Sequence, residues 1–376
     1  MAEIQLKDKK VEYLELIYDL IFVYIIGRNN LLLHHIENGF VSAGVFLSYV
    51  LGMLAIIQIW NFSTFYINVY GRNGTRDHIF LFINMFLLYF MADGTEVMWQ
   101  LSFYKYTAAW ALILINIGVQ HIIEMRSREN APWEIKQLRH KAVIIFIEAA
   151  LVVIHIAIYA LTGVSIAYVP ILFGMIAMII SGKKNALVMV DFAHLSERAM
   201  LYVVFTFGEM IIALAYYFEG NLTLNSVYFS STAFLIVVGL LLSYGVFYNR
   251  LLDREKETNG AGFMMIHIFL IFALNNISAS LEFMREERVS LMPKTLFLVG
   301  SFVLYYIFLF LLGKYSKKRC SFNGRFIISF SSAMIAFATL MIILRKLMLF
   351  NIALSVMFVF GIFFVILRFS DKHQNI

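Results

Sequence analysis

The chain has 376 residues, of which 61% are hydrophobic and only 14% are charged, and its net charge at pH 7 is +6. A soluble protein is about half apolar and a quarter charged, so this composition excludes an ordinary water-soluble protein and predicts the lipid bilayer as a partner. The basic residues lie at the ends of apolar runs and form no patch with exposed aromatic residues, which argues against nucleic acid. The single cysteine, Cys320, excludes an internal disulfide and a multi-cysteine zinc site.

Hydropathy predicts about twelve transmembrane helices joined by short polar segments, with no sizeable soluble domain. The expected fold class is therefore an all-α, polytopic transmembrane helix bundle. In chain order, the predicted spans are 13–33, 41–66, 78–98, 106–124, 142–161, 165–182, 197–217, 226–249, 261–284, 295–313, 326–344 and 350–369. No small-residue cleavage site follows the first apolar run, so it is expected to remain as an uncleaved span.

Lysine and arginine are concentrated on one side of this topology. When the N-terminus is placed inside, the inner segments carry 23 of the 30 lysine and arginine residues. Cytoplasmic loops are enriched in these residues, so both termini are expected in the cytoplasm of a multi-pass plasma-membrane protein. An odd number of spans would destroy the contrast, which favours twelve.

The even count also admits a duplication into two parallel six-helix halves, residues 1–189 and 190–376. A shift of about 190 residues aligns acidic and histidine residues of the two halves. The aligned pairs are Asp19 with Glu209, His78 with His267, and Asp93 with Glu282. Chance similarity between apolar sequences is the competing explanation.

Charged side chains inside spans cost roughly 2.5–3.5 kcal/mol each at the helix centre, so they indicate a polar interior or a partner. Five acidic residues are candidate proton-, ion- or substrate-binding groups: Glu15, Asp19, Asp93, Glu209 and Glu282. Asp19 and Glu209 are flanked by apolar residues on both sides and are expected to face the bundle interior, related by a pseudo-twofold axis. A structural ion pair with an arginine is the alternative for both.

A second group of residues is predicted to have supporting polar or structural roles: Glu96, Glu148, His155, His194, Glu197, Arg198 and His267. Snorkelling or helix capping at the inner interface could account for Glu15, Glu197 and Arg198, and solvation by the outer headgroups could account for Glu96 and Glu282. His155 and His267 are typical of core histidines. No serine-hydrolase, phosphate-loop or zinc-protease motif occurs, so no catalytic residue, metal or cofactor is predicted.

Three segments carry recognisable motifs, namely LELIYDLIFVYII (14–26), WNFSTFYINVYG (60–71) and HLSERAMLYVVFTFGEMIIALA (194–215). Together they resemble the bacterial low temperature requirement A family. The first fits a family pattern of Leu-Glu-Leu, two aromatic positions and Asp-Leu-Val-Phe-Val, with Ile17 at the first aromatic position. Its matching residues are Glu15, Asp19, Phe22 and Val23. The third fits a pattern of His, Glu-Arg and Gly-Glu at His194, Glu197, Arg198, Gly208 and Glu209.

The middle segment has the family's aromatic and asparagine residues at Trp60, Asn61, Phe65, Tyr66 and Asn68. The acidic residues that usually follow are replaced by Gly71-Arg72-Asn73-Gly74, so a cation-related role of this loop is not carried over. The resemblance implies a multi-spanning bacterial plasma-membrane protein whose family name refers to growth in the cold. It implies no particular substrate.

Three functions compete. The first is a proton- or cation-linked secondary transporter or ion-translocating protein that handles a small solute or ion, because desolvated acids in a membrane suit coupled protonation. The second is a membrane enzyme or lipid-handling protein at the cytoplasmic leaflet, where His194, Glu197 and Arg198 would cluster. The third is a sensor or scaffold whose charges lock helices together. A homo-oligomer is left open.

Overall fold

The computed structural model describes residues 9–93, 99–127, 131–184, 190–215, 223–318, 322 and 324–374. In these ranges the chain forms twelve α-helices, one for each predicted span. They are α1 (Tyr13–Asn30), α2 (Ala43–Tyr70), α3 (Thr75–Asp93), α4 (Trp99–Met125), α5 (Pro132–Thr162), α6 (Tyr168–Lys184), α7 (Phe192–Ala213), α8 (Leu224–Val246), α9 (Ala261–Arg285), α10 (Leu291–Leu311), α11 (Gly324–Ile343) and α12 (Met348–Gln374). The predicted all-α fold is confirmed.

Nine of the helices in these ranges are long and apolar enough to cross a membrane, namely α1, α2, α4, α5 and α8 to α12. The chain is therefore a multi-pass membrane protein. The other three are α3, whose first turn is polar, α6, whose apolar part is the shorter Tyr168–Ser181, and α7, which carries several charged residues. For these three the expectation of twelve spans stays a prediction.

A short hairpin connects α1 and α2. Its strands are β1 (Ile36–Glu37) and β2 (Phe40–Val41), and they pair antiparallel. The two turn residues, Asn38 and Gly39, have φ values of 52° and 84°. Two consecutive positive φ angles are typical of the type I′ turn that an Asn-Gly pair favours.

The helices form two compact units. Unit 1 holds the described residues of the ranges 1–35, 43–202 and 257–264, and unit 2 holds those of 36–42, 203–256 and 265–376. In unit 1, α1 packs against α2 and α3, α4 packs against α3 and α5, and α6 packs against α2 and α5. In unit 2, α8 packs along α12, and α11 lies against α10 and α12.

Polar side chains tie four helices of unit 1 together in its interior. The hydroxyl groups of Tyr18 in α1 and Ser63 in α2 are 2.8 Å apart, and Asn84 in α3 donates a hydrogen bond to Tyr18. The amide of Asn116 in α4 in turn donates to Asn84 over 2.9 Å. Hydrogen bonds between helices hold membrane bundles together because lipid offers no competing partner.

Candidate functional site

The site in unit 1 is built from the first turns of α7 and the first half of α1. Asp191 precedes α7, and its Oδ1 accepts a hydrogen bond from the backbone amide of His194 over 3.0 Å, as an N-cap residue does. Four residues on, Arg198 lies on the same helix face as His194. Because Asp191 fixes where α7 begins, it also fixes where these two basic side chains project.

The guanidinium of Arg198 lies between two carboxylates of α1. Its Nη2 donates to Asp19 Oδ1 over 2.5 Å, and its Nε lies 3.3 Å from both Asp19 Oδ2 and Glu15 Oε2. Glu15 and Asp19 are one helical turn apart, which brings both carboxylates to the same arginine. Asp19 and Arg198 are fully buried, whereas Glu15 keeps 7% of its surface exposed.

Trp60 of α2 supplies a further donor to the pair. Its Nε1 donates to Asp19 Oδ1 over 2.7 Å, and its ring packs against Tyr202 with ring centres 4.5 Å apart. The Asp19 carboxylate thus accepts hydrogen bonds from two helices besides its own. A buried charge is tolerable when it is paired and hydrogen-bonded in this way.

The tautomer of His194 follows from its neighbours. The amide nitrogen of Asn68 donates to the carbonyl oxygen of Asp191 over 2.8 Å and lies 3.0 Å from His194 Nδ1. A nitrogen that faces a carbonyl oxygen must be a donor, so His194 Nδ1 is the acceptor and its proton is on Nε2. That Nε2 lies 3.3 Å from Glu15 Oε2.

Two more charged groups, Lys9 and Asp191, border this cluster, and both form hydrogen bonds with backbone groups at helix ends. Lys9 Nζ donates to the carbonyl oxygens of Ile67, Asn68 and Gly71 at the end of α2 over 2.8–3.1 Å. The carboxylate of Asp191 accepts one hydrogen bond from the backbone amide of His194 at the start of α7 and one from the backbone amide of Lys9. A cation at a helix C-terminus and an anion at a helix N-terminus are both stabilised by the helix dipole.

The charges of the other four ionisable side chains, Glu15, Asp19, His194 and Arg198, do not cancel. Arg198 carries one positive charge at any ordinary pH, and His194 is neutral as long as its Nδ1 accepts from Asn68. With Glu15 and Asp19 both ionised, the cluster therefore has a net charge of −1. One proton, taken up on a carboxylate, makes it neutral.

Glu15 is the member of the cluster that meets an open cavity. The cavity has a volume of about 480 Å³, and among its lining residues are Lys9, Lys10, Glu12, Glu15, Asp77 and His78. Both acidic and basic groups line it, so water and small ions can enter. The structure thus connects a solvated cavity with a buried ion pair through a single carboxylate.

The other predicted acids occupy different surroundings. In unit 2, Glu209 and Glu282 are half-buried and close enough for their charges to interact. In unit 1, Asp93 forms an ion pair with Lys105 over 3.1 Å at an exposed position. Glu96 lies outside the described residues. Because Asp19 and Glu209 belong to different units, their expected relation by a pseudo-twofold axis stays a prediction.

Glu148 lies fully buried in α5 beside Gln58, whose amide nitrogen is 3.5 Å from its Oε2. Among the described residues, no basic side chain forms an ion pair with it. Gly174 of α6 leaves room for the Gln58 and Glu148 side chains, because a Cβ at this position would collide with each of them. Glu148 is therefore a second buried carboxyl of unit 1, set apart from the arginine cluster.

The remaining supporting residues behave as interior or boundary groups. His155 is buried, and its Nε2 lies 3.1 Å from the Ser165 hydroxyl. In unit 2, the Nε2 of His267 forms a hydrogen bond with the Tyr244 hydroxyl over 3.1 Å. Glu197 is half-buried. Both histidines are buried in the interior of their units. Arg198, in contrast, does not snorkel to the interface, because its charge is neutralised inside unit 1.

Sequence reasoning gave no role to Trp60, Asn68 and Asp191. Trp60 and Asn68 stand in a segment that carries the family resemblance, and Asp191 is a helix N-cap type placed just before an apolar run. These signals were present, but they do not tell which helix each side chain would meet. Within the described residues, no group of three potential metal ligands converges.

Comparison with known proteins identifies the family. A sequence model of bacterial low temperature requirement A proteins (LtrA) matches residues 10–361. No curated protein and no solved structure matches the chain. The match covers all three segments on which the resemblance rests. With the greater part of its length described by that one family, the chain belongs to the bacterial low temperature requirement A proteins.

Proposed function

We propose that this protein is a proton-linked secondary transporter of a small solute, in which Glu15 exchanges a proton with the solution. The observation that carries the proposal is the charge imbalance of the buried cluster. Two carboxylates, Glu15 and Asp19, face one arginine, and the histidine beside them is held neutral by Asn68. A cluster that lacks one positive charge in a low-dielectric interior favours uptake of a proton or a cation.

The proton is taken up at Glu15, because this carboxylate borders the cavity of about 480 Å³ whereas Asp19 is fully buried. Protonation removes the attraction between Glu15 and Arg198, and Arg198 is then held by Asp19 alone. The hold of α7 on α1 thereby depends on whether the proton is bound. A binding event that stabilises one arrangement over another is what couples an ion to a conformational change.

The predicted orientation gives this exchange a direction. The cavity lies at the end of unit 1 that includes Lys9 and the segment between α2 and α3, which the distribution of lysine and arginine assigns to the cytoplasm. Glu15 would then exchange protons with the cytoplasm. The half-buried pair Glu209 and Glu282 in unit 2 is the candidate for a second acidic site.

The alternative of an enzyme acting on lipid at the inner leaflet receives less support from this cluster. It would require His194 and Arg198 to be accessible from the membrane surface, but they are 1% and 0% exposed. Their hydrogen bonds and ion pairs are made within unit 1.

The test measures proton movement directly. Purified protein is reconstituted into liposomes that contain a pH-sensitive dye and a deproteinised bacterial extract as the source of solutes. A potassium diffusion potential, negative inside, is then imposed with valinomycin. We expect internal acidification well above that of protein-free liposomes, and Glu15→Gln to slow it at least about fivefold by removing the exchangeable proton. Asp19→Asn should have a similar effect.

The matched control is Glu12→Gln, which removes one negative charge from the same cavity without touching the arginine cluster. It should transport at close to the normal rate. If Glu15→Gln acidifies the liposomes as fast as the unmodified protein, Glu15 is not the exchanging group. Sodium uptake without acidification would replace the proton by that cation as the coupling ion.

A further inference from the structure

A second cavity of unit 1 has no part in the proton exchange. It has a volume of about 90 Å³ and is lined by α2, α4, α5, α6 and the segments before α7 and α9. One water needs roughly 10–15 Å³ of such volume, so this cavity is large enough for a polyatomic group. Most of its wall is apolar, with Phe62, Phe65, Val69, Ile144 and Ile145 among the lining residues.

A small set of polar side chains converges on this apolar cavity. Lys141, Gln137 and His121 line it, and Ser181 lies on its wall as well. His121 and Gln137 are both more than nine-tenths buried, so they are built into the cavity rather than placed on a surface. An apolar cavity with a few convergent polar groups is the usual form of a ligand site.

Lys141 supplies an unneutralised positive charge at this site. Its Nζ lies 5.6 Å from the centre of the Phe65 ring and 5.7 Å from that of Tyr70. Among the described residues no carboxylate lies within ion-pair distance of it. Two aromatic faces attract a cation but leave its hydrogen-bond donors available. The strongest complement to such a group is an oxyanion.

The position of the cavity indicates where the oxyanion comes from. It lies near the end of α2 at Tyr70, the start of α5 at Pro132 and the end of α6 at Lys184. All three helix ends belong to the side that the lysine and arginine distribution assigns to the cytoplasm. Lys141 lies about two and a half turns inside α5 and directly precedes the predicted fifth span, 142–161, so we expect it near the depth where lipid headgroups meet hydrocarbon.

We propose that this cavity binds the oxyanion headgroup of a lipid-like molecule whose apolar tail follows the aromatic and aliphatic wall. Lys141 pairs with the oxyanion and the Gln137 amide orients it, while His121 is engaged through its Nδ1 with the carbonyl oxygen of Ile117 over 2.8 Å. The anion is either the carboxylate of a free fatty acid or the phosphate of a phospholipid, which share this chemistry. The site does not depend on proton transport, because none of its residues belongs to the Glu15 cluster.

The test is equilibrium binding of radiolabelled palmitate to the full-length protein in a neutral detergent. Lys141→Met is expected to weaken binding at least about tenfold, which is the effect of losing one charge-assisted hydrogen bond. Lys136→Met is the matched control, since Lys136 lies on the same helix but is exposed, and it should bind normally. Lys141→Arg keeps the charge and should retain most of the affinity, even if Lys141→Met fails to fold.

Competitors distinguish the sources of the anion. Displacement by unlabelled palmitate but not by phosphatidylglycerol identifies a fatty acid, and displacement by phosphatidylglycerol at a lower concentration than by palmitate identifies a phospholipid. Hexadecanol has the same tail without the charge and should compete poorly, and inorganic phosphate alone should compete weakly because it lacks the tail. The proposal is overturned if hexadecanol competes as well as palmitate, or if Lys141→Met and Lys136→Met bind alike.

Discussion

Arg198 shows how a single side chain can join two distant segments of a membrane protein. It reaches across 179 residues of sequence to Asp19, and both side chains are removed from water. Removing two charges from water is costly, and the ion pair repays that cost only while both partners and their hydrogen bonds are present. Loss of one partner should therefore be more harmful than loss of both.

We expect Arg198→Met to lower the free energy of unfolding by about 3–5 kcal/mol, because it leaves the Asp19 carboxylate buried without a base. Unfolding of the purified protein in mixed micelles by increasing sodium dodecyl sulfate measures this change. Adding Asp19→Asn should recover part of the loss, since asparagine still accepts a hydrogen bond from Trp60.

The control for this effect is Arg250→Met. Arg250 also forms an ion pair, with Asp371 over 2.6 Å, but both side chains are well exposed. Exposed pairs contribute about 0–1 kcal/mol, so this variant should unfold almost normally. Equal stability of the two single variants would show that the buried pair does not hold α1 and α7 together.

The residues of the site could be predicted only in part. Spacing of four residues correctly put Glu15 and Asp19 on one face of α1, because that follows from helical geometry. It could not tell that Arg198 of α7 would meet that face, since the choice of neighbouring helices depends on tertiary packing. The predicted fifth span begins at 142 and leaves Lys141 in an inner segment, whereas the structure places it inside α5 and beside a cavity.

At the scale of helices, close packing of α6 on α2 and α5 depends on Gly174. A side chain at this position would meet the ends of Gln58 and Glu148, which are both fully buried. The two ends are flexible, but they have little space into which to move, and they would have to give up their contact with each other. A glycine in this helix therefore serves close approach rather than flexibility.

We expect Gly174→Ala to lower the free energy of unfolding by about 1–2 kcal/mol, as overpacking of a filled interior does. Gly44→Ala is the helical control, because nothing lies within 4 Å of the Cβ that it would add. Both variants are compared by thermal unfolding in detergent. Combining Gly174→Ala with Gln58→Ala should recover part of the lost stability, because only the collision with Glu148 then remains, and no recovery at all would place the strain elsewhere.

The positions of the helices were much easier to predict than their contacts. Long apolar runs bounded by polar segments predicted twelve spans, and the structure has one helix at each of them. Most observed helix ends lie within a few residues of the predicted span ends. The largest departure is α5, which begins at Pro132 rather than at 142. Its first turns are polar, so hydropathy excluded them, although proline at a first helical position is a start signal.

At the scale of the whole molecule, the expected orientation can be tested with the single cysteine. Cys320 lies in a segment rich in lysine and arginine, between the predicted tenth and eleventh spans, which the positive-inside rule assigns to the cytoplasm. In intact bacterial spheroplasts a membrane-impermeant maleimide should leave Cys320 unlabelled, and permeabilisation should allow labelling. Cys320→Ser controls for reaction at other groups. Labelling of Cys320 before permeabilisation would show that its segment lies outside and would contradict the predicted orientation.

The contacts of Lys9 bear on how the protein can be handled. This residue joins the last carbonyl groups of α2 to the residue that starts α7. If proteolysis from the amino-terminal side removed Lys9, the end of α2 and the start of α7 would both lose this contact beside the arginine cluster. An affinity tag for purification is therefore better attached at the carboxyl end, where its removal leaves this anchor untouched.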